Sequence, residues 1–185
     1  MRIIAGKYRG RRLASLRGQR LRPTSDRVRE AIFSILGNDL SGSRVLDLFA
    51  GTGAMGLEAL SRGAAFVVLV EQHPAALQLI ARNVGALGVS EQVTVKKLDL
   101  VRGLGGLGRE GWEFDLIFLD PPYHLGRGEI CLQDLGEGTL LAPQAVVVSE
   151  QAVDEQLAFA YGCLHLQDVR RYGSTAVGFY HREQK

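Results

Sequence analysis

Four runs of apolar residues constrain this 185-residue chain more than any other feature. They are Val45-Leu-Asp-Leu-Phe49, Phe66-Val-Val-Leu-Val-Glu71, Phe114-Asp-Leu-Ile-Phe-Leu-Asp120 and Ala145-Val-Val-Val-Ser-Glu150. Each is continuous rather than alternating, so each reads as a strand buried on both faces, as in a parallel sheet covered by helices. Strands are expected near 44–48, 66–71, 92–97, 114–119 and 145–150, and two β-like runs at 164–170 and 175–181 close the chain. Helical spacing fills 54–62 and 74–87, the second opened by Pro74 in its first turn. A weaker helix is expected over 128–140 and a short one near 153–160. A further helix is capped by Thr24 or Ser25 and runs to about Leu36, with Val28, Ala31, Ile32, Ile35 and Leu36 on one face and Gly37-Asn38 as its stop. The fold class is therefore α/β. One domain is expected over residues 23–185, preceded by an arm over 1–22.

The strand ends carry the chemistry. Gly51-Thr-Gly53-Ala-Met-Gly56 follows the first strand and opens a helix, which marks a nucleotide-like ligand at the first βα turn. Glu71 stands twenty residues beyond Gly51 at the end of the second strand. A dinucleotide-binding protein has these features too. Asp47 separates the cases, because a carboxylate four residues before the glycines repels a pyrophosphate yet suits the ammonium of a methionine moiety. The helix N-terminus can still take that ligand's single carboxylate. Glu71 is placed to accept ribose hydroxyls, and Asp99 to accept an adenine amine. Phe49, Ala50, Gly51, Gly53, Gln72 and Leu100 are expected to line the same ligand. Acids at four successive strand ends point to one ligand along the carboxyl edge of a sheet.

The fourth of those strands ends in Asp120-Pro-Pro-Tyr123. Pro121 and Pro122 have fixed φ and no N–H, so the turn is stiff and the Pro121 carbonyl is free to face a ligand. A planar base bearing an exocyclic amine would stack on Tyr123 and donate to the Asp120 carboxylate and the Pro121 carbonyl. Together with the glycine loop, this reads as methyl transfer from S-adenosylmethionine to a base amine.

The net charge of +2 conceals an asymmetry. Residues 1–30 hold ten basic and two acidic residues, whereas the remaining 155 hold twelve basic and eighteen acidic. A basic arm on an acidic body suits a phosphate backbone, and arginine favours bidentate phosphate contacts. Arg2, Lys7, Arg9, Arg11, Arg12, Arg17, Arg20 and Arg22 are the expected RNA contacts. A hairpin around Gly6-Lys-Tyr-Arg-Gly10 would present Tyr8, Arg9 and Arg11. Cys131 and Cys163 read as small buried residues, and neither they nor His73, His124, His165 and His181 have ligand spacing, so no metal is expected. No apolar run reaches the length of a membrane span. A cytoplasmic, monomeric protein is expected.

With these residues in hand, the chain resembles the bacterial small-subunit (16S) ribosomal RNA guanine-N2 methyltransferases. The likeness begins at Met1-Arg-Ile-Ile-Ala-Gly-Lys-Tyr-Arg-Gly10 and Arg22-Pro-Thr-Ser-Asp-Arg27-Val-Arg-Glu30. It continues through Val45-Leu-Asp-Leu-Phe-Ala-Gly-Thr-Gly53, Leu57-Glu-Ala-Leu-Ser-Arg-Gly63 and Asp120-Pro-Pro-Tyr123, and ends at Arg171-Tyr-Gly173 and Gly178-Phe-Tyr180. The resemblance implies a Rossmann-like seven-strand sheet, its last strand antiparallel, with helices on both faces. It implies that the segment matching Arg22 to Arg29 lies over the cofactor, so that Thr24 and Arg27 touch it. It also implies a guanine in assembled or assembling small-subunit RNA as the target. The segment 124–142 matches no motif of that family.

Rival readings remain open on sequence alone. A DNA adenine-amine methyltransferase uses the same tetrad chemistry, more often with Asn in the first position. A protein-glutamine methyltransferase would not need the basic arm. A non-enzymatic RNA-binding assembly factor could dispense with Asp120. A nicotinamide oxidoreductase conflicts with Asp47.

Overall fold

Every apolar run becomes a strand. The computed structural model describes residues 1–15 and 26–183. These fall into two compact units, Met1–Leu98 and Asp99–Lys185. The first unit runs α1 (Asp26–Leu36), β1 (Arg44–Leu48), α2 (Ala54–Ser61), β2 (Phe66–Glu71), α3 (Pro74–Leu87), a 3-10 turn and β3 (Val93–Lys97). Its strands lie in the order β3-β2-β1. Both pairings are parallel, with Asp47 opposite Leu69 and Glu71 opposite Lys97. Helix α2 packs on β1 and β2, and α3 on β3.

Close contact between α2 and the sheet depends on one glycine. A Cβ on Gly56 would sit 2.5 Å from Leu69 Cδ2 and 2.7 Å from Val67 Cγ1. That is well inside van der Waals contact, so only glycine lets the helix lie this low.

Helix α1 is turned from its expected face. Val28, Arg29, Ile32 and Phe33 are buried, while Ile35 is exposed. Electrostatics explains the rotation. Arg29 is 1% exposed and lies 3.8 Å from the carboxylate of Glu58, itself wholly buried in α2. Turning inward lets Arg29 meet that charge, and a charge buried alone would cost far more than Ile35 gains. Arg62 completes the cluster, 2.9 Å from Glu58 and stacked 4.6 Å over the Phe33 ring.

The N-terminal residues are fastened to this cluster. Arg2 and Arg12 pair as an antiparallel bridge, with Ile3 donating to Arg11 and Gly10 to Ile3. Ile3 and Leu13 are buried. The amides of Ile4 and Ala5 donate to the two carboxylate oxygens of Glu58, at 2.7 and 3.0 Å. Tyr8 N–H donates to the Ser61 hydroxyl, and Ser61 donates back to the Ala5 carbonyl. A buried glutamate in α2 thus reads the backbone of the hairpin, whereas Arg2, Lys7, Arg9, Arg11 and Arg12 remain exposed.

The second unit runs through a 3-10 turn, α4 (Gly105–Gly108), β4 (Phe114–Leu119), α5 (Arg127–Glu137), β5 (Leu141–Ala152), β6 (Ala160–Tyr161), β7 (Leu164–Tyr172) and β8 (Thr175–Arg182). Its strands are ordered β4-β5-β8-β7-β6. β4 and β5 are parallel, and the final strand β8 runs antiparallel to β5. The result is the mixed α/β sheet with an antiparallel last strand that was expected. Eight strands are present among the described residues, one more than seven, because Ala160–Tyr161 adds a two-residue strand to β7. The short helix expected near 153–160 is instead a turn leading into β6. Glu155 ties the turn to β5 by accepting the Ala152 N–H, and Val153 and Phe159 stay exposed. Helix α5 packs against β5, β6 and β7. Cys131 on α5 is buried, and burial pushes its thiol up to about 12. Cys163 is only half-buried, unlike its expected state, because it sits at the hairpin turn between β6 and β7.

Candidate active site

Two non-glycine residues have positive φ among the described residues, Phe49 at 59° and His124 at 60°. Each follows a strand that carries a candidate motif. Such backbone costs of order 1–3 kcal/mol, persists only where neighbours over-determine it, and clusters at ligand sites. The two motifs are therefore both held in constrained turns.

The first turn is organised by Glu71. Its Oε2 accepts the Gly51 N–H at 2.9 Å, and its Oε1 accepts the amides of Gln72 at 2.7 Å and His73 at 2.9 Å. One buried carboxylate thereby fixes the glycine loop and the exit of β2. Gly51 and Gly53 adopt φ of 56° and 75°, which glycine reaches without strain. Ala50 donates to the Val70 carbonyl, and Gly53 to that of Ala50. Asp47, 2% exposed, accepts the Gly56 N–H at 2.9 Å. Burial pushes its carboxyl up to about 7; the Gly56 bond opposes this and the Glu71 charge adds to it. Phe49 and Gln72 are half-buried and Ala50 is buried beside them.

Asn83, which sequence reasoning missed, joins this loop to the N-terminal residues. Its Nδ2 donates to the Thr52 carbonyl at 2.9 Å and to the Ala14 carbonyl at 3.2 Å, while its Oδ1 accepts the Ala14 N–H at 2.7 Å. Thr52 also donates to the Met1 sulfur. Nothing in the local sequence of α3 distinguishes Asn83, because its partners lie 31 and 69 residues away.

The second turn begins at Asp120, half-buried at the exit of β4. Pro121 is buried, Pro122 exposed and Tyr123 half-buried. The Tyr123 hydroxyl donates to Glu150 at 2.8 Å and lies 3.1 Å from the Thr175 hydroxyl. Burial pushes the phenol up, the Thr175 bond opposes, and the Glu150 charge adds, so Tyr123 is neutral at physiological pH. The ring is thus clamped at its hydroxyl, with His124 edge-on at 6.3 Å. Glu155 holds the far side of the turn. Its Oε1 accepts the His124 N–H and its Oε2 the Ala152 N–H, both at 2.9 Å. A cleft of about 420 Å³ opens behind Pro121 and Pro122, walled by Ser149, Glu150, Gln151 and Tyr161. Glu150, Thr175 and Glu155 escape sequence reading for the same reason as Asn83, since their partners stand 27, 52 and 31 residues away.

Asp99 is exposed and accepts the Val101 N–H, capping the 3-10 turn, and Leu100 beside it is buried. The expected contacts Thr24, Arg17, Arg20 and Arg22 lie outside the described residues, and Arg27 is exposed on α1. Among the described residues no three His, Cys, Asp or Glu side chains converge on a metal position, and no helix is long and apolar enough to cross a membrane.

Comparison with known proteins places this geometry. A family model described as conserved hypothetical protein 95 matches residues 1–181. The Escherichia coli K12 protein named ribosomal RNA small subunit methyltransferase D is 34% identical over 183 residues, spanning 99% of this chain and 90% of its own length. The Haemophilus influenzae protein of the same name is 37% identical over 161 residues, 85% of this chain and 81% of that protein. A solved Escherichia coli structure superposes with a TM-score of 0.87 at 34% identity, covering 100% of this chain and 99% of that one.

Proposed function

The chain belongs to the conserved hypothetical protein 95 family, and on that premise we propose that it transfers a methyl group from S-adenosylmethionine to the exocyclic N2 amine of a guanine in small-subunit ribosomal RNA. The observation that carries the reading is the Asp120-Pro-Pro-Tyr123 turn, with its aromatic ring clamped by Glu150 and its backbone by Glu155. A protein substrate gives no use to the five exposed basic side chains of the hairpin, whereas a nucleic-acid phosphate backbone does. The relatives named as ribosomal RNA methyltransferases favour RNA over DNA as that nucleic acid.

The guanine amine is a poor nucleophile because its lone pair is delocalised into the ring. Asp120 and the Pro121 carbonyl each accept one N–H, which turns the lone pair toward the incoming methyl and favours tetrahedral nitrogen. The Asp120 charge stabilises the positive charge that develops there, an effect worth roughly 2.7–4 kcal/mol per well-placed group. Tyr123 offers a stacking face to a base drawn out of its RNA stack, worth about 1–3 kcal/mol. The clamp on its hydroxyl leaves the ring faces as the part that meets the base.

When bound, S-adenosylmethionine would supply the activated methyl on its sulfonium sulfur, the S–CH3 bond breaking to leave neutral S-adenosylhomocysteine as the N–CH3 bond forms. The surplus proton of the methylated amine leaves to the Asp120 carboxylate or to water. The donor set of the first unit fits it: a glycine loop, a buried acid below it for the ammonium, and a second acid for the ribose. Glu71 already accepts three backbone N–H groups. That leaves about one of the four lone-pair sites of a carboxylate for a ribose hydroxyl. Glu71→Ala is expected to weaken cofactor binding by at least the ~1.5–3 kcal/mol of a charged hydrogen bond, because the Gly51 amide loses its acceptor as well. Calorimetric titration measures this; an unchanged dissociation constant would move the ribose elsewhere.

Asp47 gives a pH signature. With a carboxyl raised to about 7, the folded protein holds a proton that the unfolded chain releases at its ordinary value of 3.8. This group's contribution to stability therefore falls as pH rises from about 4 to about 7. A cofactor ammonium favours the ionised form, so binding near neutrality expels that proton and affinity rises with pH through about 7. Asp47→Asn should remove this share of the slope. Calorimetry of both proteins between about pH 6 and 8 checks it, and identical slopes would detach Asp47 from the ammonium.

The reading as a whole is tested by offering labelled S-adenosylmethionine with free ribosomal RNA, small ribosomal subunits, duplex DNA and protein, followed by nucleoside analysis. N2-methylguanosine in the RNA is the expected product. Label in adenine of DNA would transfer the site to the rival substrate.

A further inference from the structure

We propose that the cleft between the N-terminal hairpin and α3 seats a phosphodiester stretch of the RNA, with Arg82 as a backbone anchor opposite Arg12. The inference rests on RNA being the substrate. The cleft measures about 500 Å³, and Arg12, Ser15, Leu79, Arg82, Asn83 and Ala86 are among its walls. Its two charged lining residues are both arginines, and both are exposed. Residues 1–25 contain no acid, and neither does α3 from Pro74 to Leu87. Both walls therefore project potential of one sign, in a chain whose residues beyond 30 carry six more acids than bases. An anion that enters meets no competing carboxylate on either wall.

The cleft is also rigid. Asn83, 1% exposed, forms its floor and bonds both polar groups of the Ala14 backbone. Arg11 closes the rim by donating to the Ala86 carbonyl near the end of α3. Arg12 and Arg82 thus stand on two elements locked to each other, and a backbone bound between them is held in one register. Two guanidinium groups prefer phosphate, which they can grip with paired N–H donors. Phosphate contacts of this kind position the nucleic acid without reading its sequence.

The test titrates a labelled fragment of small-subunit ribosomal RNA, and a single-stranded homopolymer, against the full chain at increasing salt. Arg82→Glu should weaken both probes alike and make the log–log salt slope shallower by about 0.7–0.9, the share of one phosphate. Arg82→Lys keeps the charge and should keep the slope. Melting temperature and S-adenosylmethionine affinity should not change, since Arg82 is exposed and lies outside the cofactor turn. Unchanged RNA affinity and slope in Arg82→Glu overturn the inference. If Arg9,Arg12→Glu then lowers RNA affinity, the hairpin meets RNA without α3 and the substrate reading stands; if it has no effect either, that reading of the hairpin falls too. A change of oligomeric state on charge reversal, with RNA binding intact, also overturns the inference and assigns the cleft to a second copy of the chain.

Discussion

Asp120→Ala is expected to abolish methyl transfer, lowering kcat by at least ~10²–10³-fold, while S-adenosylmethionine affinity changes little. The aspartate stands at the end of β4, where Phe114–Leu119 is paired with β5 and buried. Its position is set by the sheet behind it and by the turn ahead of it, in which Pro121 is buried and Tyr123 and His124 are tied to Glu150 and Glu155. Removing the carboxylate should therefore leave the turn in place, held by those ties, while the acceptor is lost. A positioned acceptor acts on the charge that develops at the amine nitrogen, so the loss falls on kcat rather than on cofactor affinity. Single-turnover rates beside calorimetric cofactor titration separate the two. Near-normal turnover would take Asp120 out of the chemistry and leave the tetrad as a stiff turn.

The strands were legible because their signal is local. A run such as Phe66–Glu71 declares burial on both faces within six residues, whereas the close approach of Gly56 in α2 to Leu69 and Val67 shows only in the structure. Helix α1 is turned one step from its expected face because Arg29, a surface residue by type, meets the buried Glu58. The same limit hid the supports of both turns. Asn83, Glu150, Glu155 and Thr175 each act on a partner at least 27 residues away, and no periodicity encodes such a pairing. The residues that touch ligand sit at strand ends, where a sheet topology predicts them. The residues that hold them in place are supplied by other strands and loops, and only tertiary structure brings them together. Segment 124–142 is legible only as a weak helix over 128–140, which forms as α5, and not in its role. It begins with a left-handed His124 that Glu155 stabilises, then folds as α5, whose glycines depress its helix pattern.

Reversing Arg9 and Arg12 to glutamate should destroy RNA binding and spare cofactor binding. Both side chains are exposed on a hairpin whose basic residues face no acid within the first 25 positions. The body of the chain is net acidic and repels RNA, so the hairpin supplies the attraction, and each phosphate it neutralises contributes roughly 0.7–0.9 to the log–log salt slope. Charge reversal is a sharper probe than deletion of residues 1–20. The hairpin backbone supplies two N–H donors to the buried Glu58 carboxylate and a carbonyl to the buried Arg29. Deleting it would leave these charges with fewer hydrogen-bond partners, at a cost of about 1.5–3 kcal/mol for each charged hydrogen bond lost. It would also remove the Met1 contact to Thr52 in the glycine loop, so cofactor affinity would fall for reasons unrelated to RNA. Arg11 is left in place for the same reason, since it binds the Ala86 carbonyl. The measurement is RNA affinity against salt for the reversed and native proteins, beside cofactor affinity and melting temperature for both. Unchanged affinity and slope would make the hairpin a structural clasp for α2, and the RNA surface would have to lie around Tyr123.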